Sequence, residues 1–284
     1  MRMRYDGRTL QGRAAMKTIL LHIEDDAGQE ARLQAAFDLA RMFGSHINCL
    51  QVTPFAAYAL GDNGISGFPV TAIIDAVEDQ RRAAREKVEA RLKAEGVQWD
   101  WMARDGDAAE RLAEASRLAD VVVMSAGQIG NSPGMALAMT GDVTIEAAAP
   151  VLAVGPDMRG IDVTGPVLVA WDGSREAAAA LRGSVSLLHK AAAVHILTVE
   201  EKPSDFRATD AARWLARHGI EAEIIERGDG GQSIDAVIRE ELMRVGATML
   251  VQGAYGHSRL RQRLFGGVTR SLISEPPVPL LLAH

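Results

Sequence analysis

An internal repeat is the feature of this sequence that most constrains its fold, because one order of elements occurs twice. The first copy opens with the apolar run 19–23, which ends in acidic residues and precedes an Ala- and Leu-rich helical stretch over 29–43. The second copy opens with the apolar run 167–171, which ends at Asp172 and precedes an Ala-rich helix predicted to continue to about His189. The two openings match element for element.

Each copy continues with further strands that alternate with helices, so the predicted order is β-α-β-α-β-α-β-α-β in both. Strands that are apolar throughout are typical of parallel sheets covered by helices on both faces. The later strands are predicted at 47–52, 97–103, 120–124 and VLAV in the first copy, and at 194–199, 220–227, 248–251 and VPLLLA in the second. We therefore predict an α/β protein of two tandem, doubly wound, five-stranded parallel-sheet domains.

The chain of 284 residues is long enough for two such domains. The segment 155–166 carries Gly-Pro at both ends and is interpreted as a linker. We predict a disordered tail over 1–15, a first domain over 16–157 and a second over 158–284. The first copy is longer because 54–70 inserts a Gly- and Pro-containing loop, interpreted as a surface excursion, with a lid or partner surface as the alternative.

Composition excludes several classes of protein. A net charge of −6 argues against nucleic acid as a partner. No apolar run approaches the roughly 20 residues that a bilayer requires, and the arginine-containing N-terminus lacks the apolar stretch of a secretory signal. Cys49 is the single cysteine, which excludes an internal disulfide and a cysteine zinc site. We therefore predict a cytoplasmic protein without membrane contact.

A glycine-rich loop lies directly behind the apolar run 248–251 of the second copy. Gly253 and Gly256 form a first pair, nine residues follow, and Gly266 with Gly267 opens a predicted helix. Glycine lets backbone N–H groups approach a ligand, and the free N–H groups of a helix N-terminus favour an anion. The pattern predicts a phosphate-binding loop.

This spacing resembles G-x-x-G-x9-G-[ST], the nucleotide-binding signature of the universal stress protein family. Gly267 departs from it, since the family has Ser or Thr there, and Thr269 is close enough in sequence to supply a hydroxyl. Together with the repeat and the acidic end of the first strand, the loop resembles a tandem universal stress protein from about residue 16 onward. The first copy matches only in plan, because its glycines do not reproduce the spacing and a proline removes a donor: Gly127, Gly130, Gly134, Gly141 and Pro133.

The resemblance implies an adenine nucleotide alpha hydrolase-like, Rossmann-like fold that binds ATP or another adenine nucleotide, with or without Mg²⁺. By this analogy Asp172 would contact the nucleoside and the backbone near Val199 would face the adenine. The remaining candidate binding residues belong to the loop and the helix after it: Gly253, Gly256, His257, Gly266, Gly267, Val268 and Thr269. Ligands of doubly wound sheets bind at the topological switch point, which independently predicts that Asp172 and Gly253 meet.

Other interpretations compete at these positions. Asp172 could instead accept hydrogen bonds in the turn that follows it. Adjacent His257 and Ser258 rarely point at each other, so no catalytic residue is assigned. An acidic Mg²⁺ site at 24–26 is less favoured than a solvated loop, and no metal site is assigned.

We predict a stress-response protein whose second domain binds adenine nucleotide and whose first domain is degenerate for binding and serves mainly as a pairing partner. The same loop is compatible with a slow ATPase or an adenylyl-transfer enzyme. A third hypothesis is a nucleotide-free interaction protein in which Gly267 marks a decayed site. The sequence leaves protein partners and a further homodimer open.

Overall fold

The computed structural model describes residues 16–54, 70–127, 133–200, 206–255 and 267–284. The predicted tail over 1–15 lies outside these residues, as does nearly all of the 54–70 insertion. Three predicted binding residues, Gly256, His257 and Gly266, lie outside them as well.

The first half follows the predicted order of strands and helices. Its elements are β1 (Thr18–Ile23), α1 (Gln29–Phe43), β2 (His46–Thr53), α2 (Val70–Glu95), β3 (Gln98–Asp105), α3 (Ala108–Ala115), a 3-10 turn (Ser116–Leu118), β4 (Val121–Ser125), α4 (Pro133–Glu146) and β5 (Val151–Val154). Helix α1 has the bounds that its apolar pattern predicts, and α3 begins behind Asp107, whose carboxylate accepts from the backbone N–H of Glu110 at 3.0 Å.

The second half repeats this order with one difference. Its elements are β6 (Val167–Ala170), α5 (Arg175–Gly183), α6 (Val185–Leu188), β7 (Val194–Glu200), α7 (Ala208–Arg217), β8 (Glu223–Gly228), α8 (Ile234–Val245), β9 (Met249–Gly253), α9 (Gly267–Ser274) and β10 (Leu280–Ala283). The prediction of one helix up to His189 is wrong, because the helix is interrupted at Ser184. The Ser184 hydroxyl donates to the carbonyl of Leu181 at 2.9 Å, which is the local competition that bends helices at serine.

All ten strands form one sheet in the order β3-β2-β1-β4-β5-β10-β9-β6-β7-β8. Each half is parallel throughout, and the halves join where β5 pairs antiparallel with β10. Leu152 faces Leu281 at the centre of this pairing. The two parallel half-sheets are therefore related by a pseudo-twofold axis and extend one another edge to edge.

Both faces of the sheet are buried, as the apolar runs predict. On one face the core is continuous across the halves, with α1 and α5 on it; it includes Phe37, Val121, Leu181 and Val251. On the other face the first half packs around Val143 of α4 and the second around Ile273 of α9. Within the described ranges, no helix is both long enough and apolar enough to span a bilayer.

The linker between β5 and β6 packs against the first half. Ile161 and Val163 are buried, and the backbone N–H of Ile161 donates to Asp38 of α1 at 2.9 Å. This contact ties the start of the second half to a helix of the first. The halves are thus joined by the sheet, by one shared core and by the linker.

Candidate functional site

The topological switch point of the second half lies between β6 and β9. These strands pair in parallel, with Ala170 opposite Gln252, so Asp172 and Gly253 both follow at the carboxyl edge of the sheet. Helix α5, which follows β6, and helix α9, which follows β9, pack on opposite faces of the sheet. Their buried side chains belong to two different cores. In doubly wound sheets the place where two such connections part is where ligands bind, and we call it the second crevice.

Asp172 forms the turn that leads from β6 into α5. It is exposed, and its Oδ1 accepts from the backbone N–H of Ser174 at 2.9 Å. Gly173 between them has φ 75°, a left-handed conformation that suits glycine. Ser174 then caps α5 by accepting from the N–H of Ala177 at 3.1 Å. Asp172 therefore does accept a hydrogen bond in the turn that follows it, which is the structural alternative that the sequence left open.

Gly253 has a packing role that its place in the glycine pattern does not suggest. A Cβ built on Gly253 would lie 2.4 Å from the backbone nitrogen of Ala177 and 2.6 Å from the carbonyl carbon of Glu176. Only a residue without a side chain lets the first turn of α5 approach β9 so closely. Gly253 therefore sets the distance between the two elements that border the crevice.

The remaining described candidates lie around the same edge. Val199 is half-buried on β7, opposite Arg227 of β8. Gly267 begins α9, and a Cβ built there meets no atom within 4 Å. Val268 is half-buried, whereas Thr269 is buried, with 7% of its surface exposed. The hydroxyl of Thr269 is therefore a weaker replacement for the family's Ser or Thr than its sequence position suggests.

In the first half, the strands that correspond to β6 and β9 are β1 and β4, and the side chain of Arg32, which is 1% exposed, contacts the carboxyl ends of both. Its Nε donates to the carbonyl of His22 at 3.0 Å, and its Nη2 donates to the carbonyl of Glu24 at 2.7 Å. Its Nη1 donates to both carboxylate oxygens of Asp26, at 2.9 and 3.0 Å, and to the hydroxyl of Ser125. The guanidinium thus bridges the carboxyl ends of β1 and β4.

Sequence reasoning missed Arg32, although a signal was available. Arg32 lies among the apolar residues of α1 that face the core, between Ala31 and Leu33. A buried arginine requires a carboxylate and several acceptors, and Asp26 stands in the loop just before the helix. An arginine on the apolar face of a helix, close to a loop carboxylate, predicts such a pair.

The positive charge of Arg32 lowers the pKa values of two neighbouring residues, His22 and Glu24. Burial, helped by the Arg32 charge, lowers the pKa of His22 to about 3, so its imidazole is neutral at neutral pH. Burial raises the pKa of the Glu24 carboxyl, and the negative charge of Asp26 raises it further. The positive charge of Arg32 lowers it in part. Asp25 instead meets Lys87 of α2 at 3.3 Å. Among the described residues no group of three or more His, Cys, Asp or Glu side chains could hold a metal.

The first half also contributes to the surroundings of the second crevice. The N–H of Gly127, just past β4, donates to the carbonyl of Ile273 in α9 at 2.7 Å. Tyr255, two residues past β9, has φ 67°, an uncommon value for a residue with a side chain. Burial raises the pKa of the Tyr255 hydroxyl, and the charge of Asp142 on α4 raises it further. The elements that follow β9 are therefore held partly by the first half.

These observations define a doubly wound α/β protein with two related switch points, one of which is bridged by a buried arginine side chain. The model of the universal stress protein family matches residues 16–155 and again 164–284. The chain therefore belongs to the universal stress protein family and carries two copies of its domain. No curated protein matches this chain.

Solved structures with the same fold cover nearly the whole chain. A universal stress protein from Archaeoglobus fulgidus DSM 4304 is 20% identical, with a TM-score of 0.74 over 94% of this chain and 95% of that one. A protein from Pseudomonas aeruginosa UCBPP-PA14, described as a candidate universal stress protein, is 19% identical, with a TM-score of 0.57 over 95% and 93%. At these identities the likeness concerns the fold alone.

Proposed function

We propose that the second half binds ATP or another adenine nucleotide and that the first half is mainly its structural partner. The observation that carries this proposal is the difference between the two switch points. In the first half a guanidinium with five hydrogen bonds bridges β1 and β4, and in the second Asp172 is exposed at the same edge. The family's glycine spacing is also found only in the second copy.

The residues of the second crevice fit such a ligand. The Asp172 carboxylate is exposed at this edge, and a carboxylate is an acceptor that suits a ribose hydroxyl. Because β9 and β10 are parallel, the helix between them runs back along the sheet, and α9 begins at the carboxyl edge. The open space at Gly267 leaves its N-terminal N–H groups accessible to a phosphate, and Mg²⁺ would accompany the phosphates.

Binding is the activity that these residues support. A general base or nucleophile must stand within hydrogen-bond reach of the reacting atom, and no described side chain of the crevice is assigned that role. We accordingly propose a nucleotide-binding protein of the stress response in which any ATP hydrolysis is slow and secondary.

The first experiment is mass spectrometry of nucleotide released from the purified, acid-denatured protein, followed by calorimetric titration with ATP and Mg²⁺. We expect adenine nucleotide in the wild type and uptake of about one ATP per chain, since Arg32 bridges β1 and β4 at the first switch point. A wild type that is empty and takes up no ATP would contradict the proposal and favour the nucleotide-free interaction protein. Steady release of phosphate would favour the ATPase.

Two variants test the site without disturbing its packing. A Cβ at residue 267 meets no atom within 4 Å, and a helix N-terminus tolerates negative charge, so Gly267→Glu should fold normally while its carboxylate repels phosphate. We expect ATP binding to weaken by at least about tenfold, and Gly267→Ala to bind like the wild type. Asp172→Asn keeps an oxygen that can accept from Ser174, so weaker binding without loss of stability would indicate contact with the nucleoside.

A further inference from the structure

We propose that the side-chain amide of Gln252 donates a hydrogen bond to the α-phosphate of the nucleotide in the second crevice. This inference rests on the proposed function and adds a contact that the glycine signature does not contain. Gln252 is 4% exposed, and its Nε2 is buried with no acceptor in hydrogen-bond reach among the described residues. A buried donor without an acceptor costs free energy, so in a native fold it indicates a partner that the fold itself does not supply.

The side chain of Gln252 lies on the face of the sheet that carries the candidate nucleotide contacts. Side chains of a strand alternate between the two faces. Leu250 belongs to the core under α9 and Val251 to the core under α5, so Gln252 shares the face of Leu250. Val199 and Val268 pack against that same core. The amide of Gln252 and these two candidate binding residues are therefore on one side of the sheet.

The position of Gln252 along β9 identifies the part of the ligand that it contacts. Gln252 directly precedes Gly253 and is paired with Ala170 of β6, which lies two residues before Asp172. The proposed ribose contact is Asp172, and the proposed phosphate contact is the N-terminus of α9 at Gly267, where the chain returns after leaving β9. Gln252 thus lies between these two contacts. In a nucleotide the group next to the ribose on the phosphate side is the α-phosphate, whose oxygens accept from amide N–H groups.

The first half has an apolar side chain at the corresponding position. Strands β4 and β9 each have 5 residues, and Met124 and Gln252 each precede the last one. Met124 is fully buried in the core around Val143. An unbranched apolar side chain therefore fits this place in the fold, and the second half carries an amide there instead. Packing does not require the amide, which favours a ligand as its partner.

The main test is Gln252→Met, which keeps the side chain unbranched and removes the donor. We expect it to weaken binding of AMP and Mg²⁺-ATP to the full chain by about tenfold in calorimetric titration, because a hydrogen bond to a charged phosphate is lost. Binding of adenosine, which has no phosphate, should be unchanged. The melting temperature without nucleotide should not fall, since Nε2 has no acceptor to lose among the described residues.

Gln51 provides a matched control, because it is a glutamine buried on a strand of the first half. Its Nε2 donates to the carbonyl of Arg81 at 3.4 Å, and its Oε1 accepts from the Arg81 Nε at 3.4 Å. Gln51→Met should therefore lower the melting temperature and leave the binding of AMP and ATP unchanged. The two variants have opposite expected effects, since Gln252→Met impairs binding without loss of stability.

The contrary results separate this inference from the proposed function. If the wild type binds neither AMP nor ATP, both proposals fail. If it binds them and Gln252→Met binds them equally well, only the role of Gln252 is wrong. Weakening of adenosine by the same factor as AMP would place the donor at the nucleoside and overturn its assignment to the phosphate. A lower melting temperature of Gln252→Met together with weaker binding of all three ligands would identify Gln252 as a structural residue and overturn the inference.

Discussion

The two switch points of this protein have one topology and opposite contents. Between β1 and β4 the guanidinium of Arg32 satisfies a carboxylate, a hydroxyl and two carbonyls, and its side chain is buried. Between β6 and β9 the equivalent edge presents the exposed Asp172. The comparison teaches that two copies of one domain can place a buried ion pair at one switch point and an exposed carboxylate at the other.

The last residue of the fourth strand differs between the halves in a related way. Ser125 ends β4, and its hydroxyl accepts from Arg32. Gly253 ends β9, and its missing side chain admits the backbone of Glu176 and Ala177. The fourth strand of the first half therefore ends in a side-chain hydrogen bond, whereas that of the second half ends in close contact with helix backbone.

The largest expected effect is the loss of the buried guanidinium. Arg32→Met should lower the free energy of unfolding by about 3–5 kcal/mol, because Asp26 and the carbonyls of His22 and Glu24 lose their donor. Urea denaturation measures this change. The control is Arg213→Met in α7, where the exposed arginine meets the largely exposed Asp210 at 2.9 Å; its removal should cost less than about 0.5 kcal/mol. Equal effects at the two positions would refute the contrast between the halves.

A smaller effect separates two glycines of one motif. Gly253→Ala should destabilise the protein by about 1–3 kcal/mol, because its Cβ would overlap the backbone of α5. Gly267→Ala meets no neighbour within 4 Å and should change stability by less than about 0.5 kcal/mol. Thermal and urea unfolding of both variants without nucleotide provide the comparison. A neutral Gly253→Ala would indicate that the close approach of α5 is not required and that the glycine serves only a ligand.

The pH dependence of stability should show the burial of His22. The unfolded chain takes up a proton on His22 near its ordinary pKa of 6.5 and the folded chain only near 3, so the unfolded state binds more protons between these values. Stability should therefore fall as pH drops below about 6.5, by on the order of 1 kcal/mol per pH unit from this residue. His22→Gln removes this titration and should flatten the curve from about pH 6 to pH 4. If stability falls equally with pH in the wild type and in His22→Gln, then His22 takes up its proton in the folded state and the prediction is wrong.

Much of the architecture could be predicted because it depends on local patterns. The continuous apolar runs predicted parallel strands with buried faces, and the periodicity of 29–43 predicted the bounds of α1. The break at Ser184 was not predictable from the Ala-rich composition, since it depends on a single hydroxyl that bonds to Leu181. The order of elements, however, was sufficient to place Asp172 and Gly253 on one edge of a doubly wound sheet.

By itself, the sequence determined the repeat, the parallel half-sheets, the family and the candidate residues of the second crevice, because spacing and hydrophobic periodicity are properties of neighbouring residues. Only the tertiary structure decided that β5 and β10 join the halves into one sheet, that Arg32 bridges β1 and β4 and that α5 packs against Gly253. The Arg32–Ser125 hydrogen bond and the close approach of α5 to Gly253 join atoms far apart in the chain, so their energies depend on burial and distance that no local pattern contains.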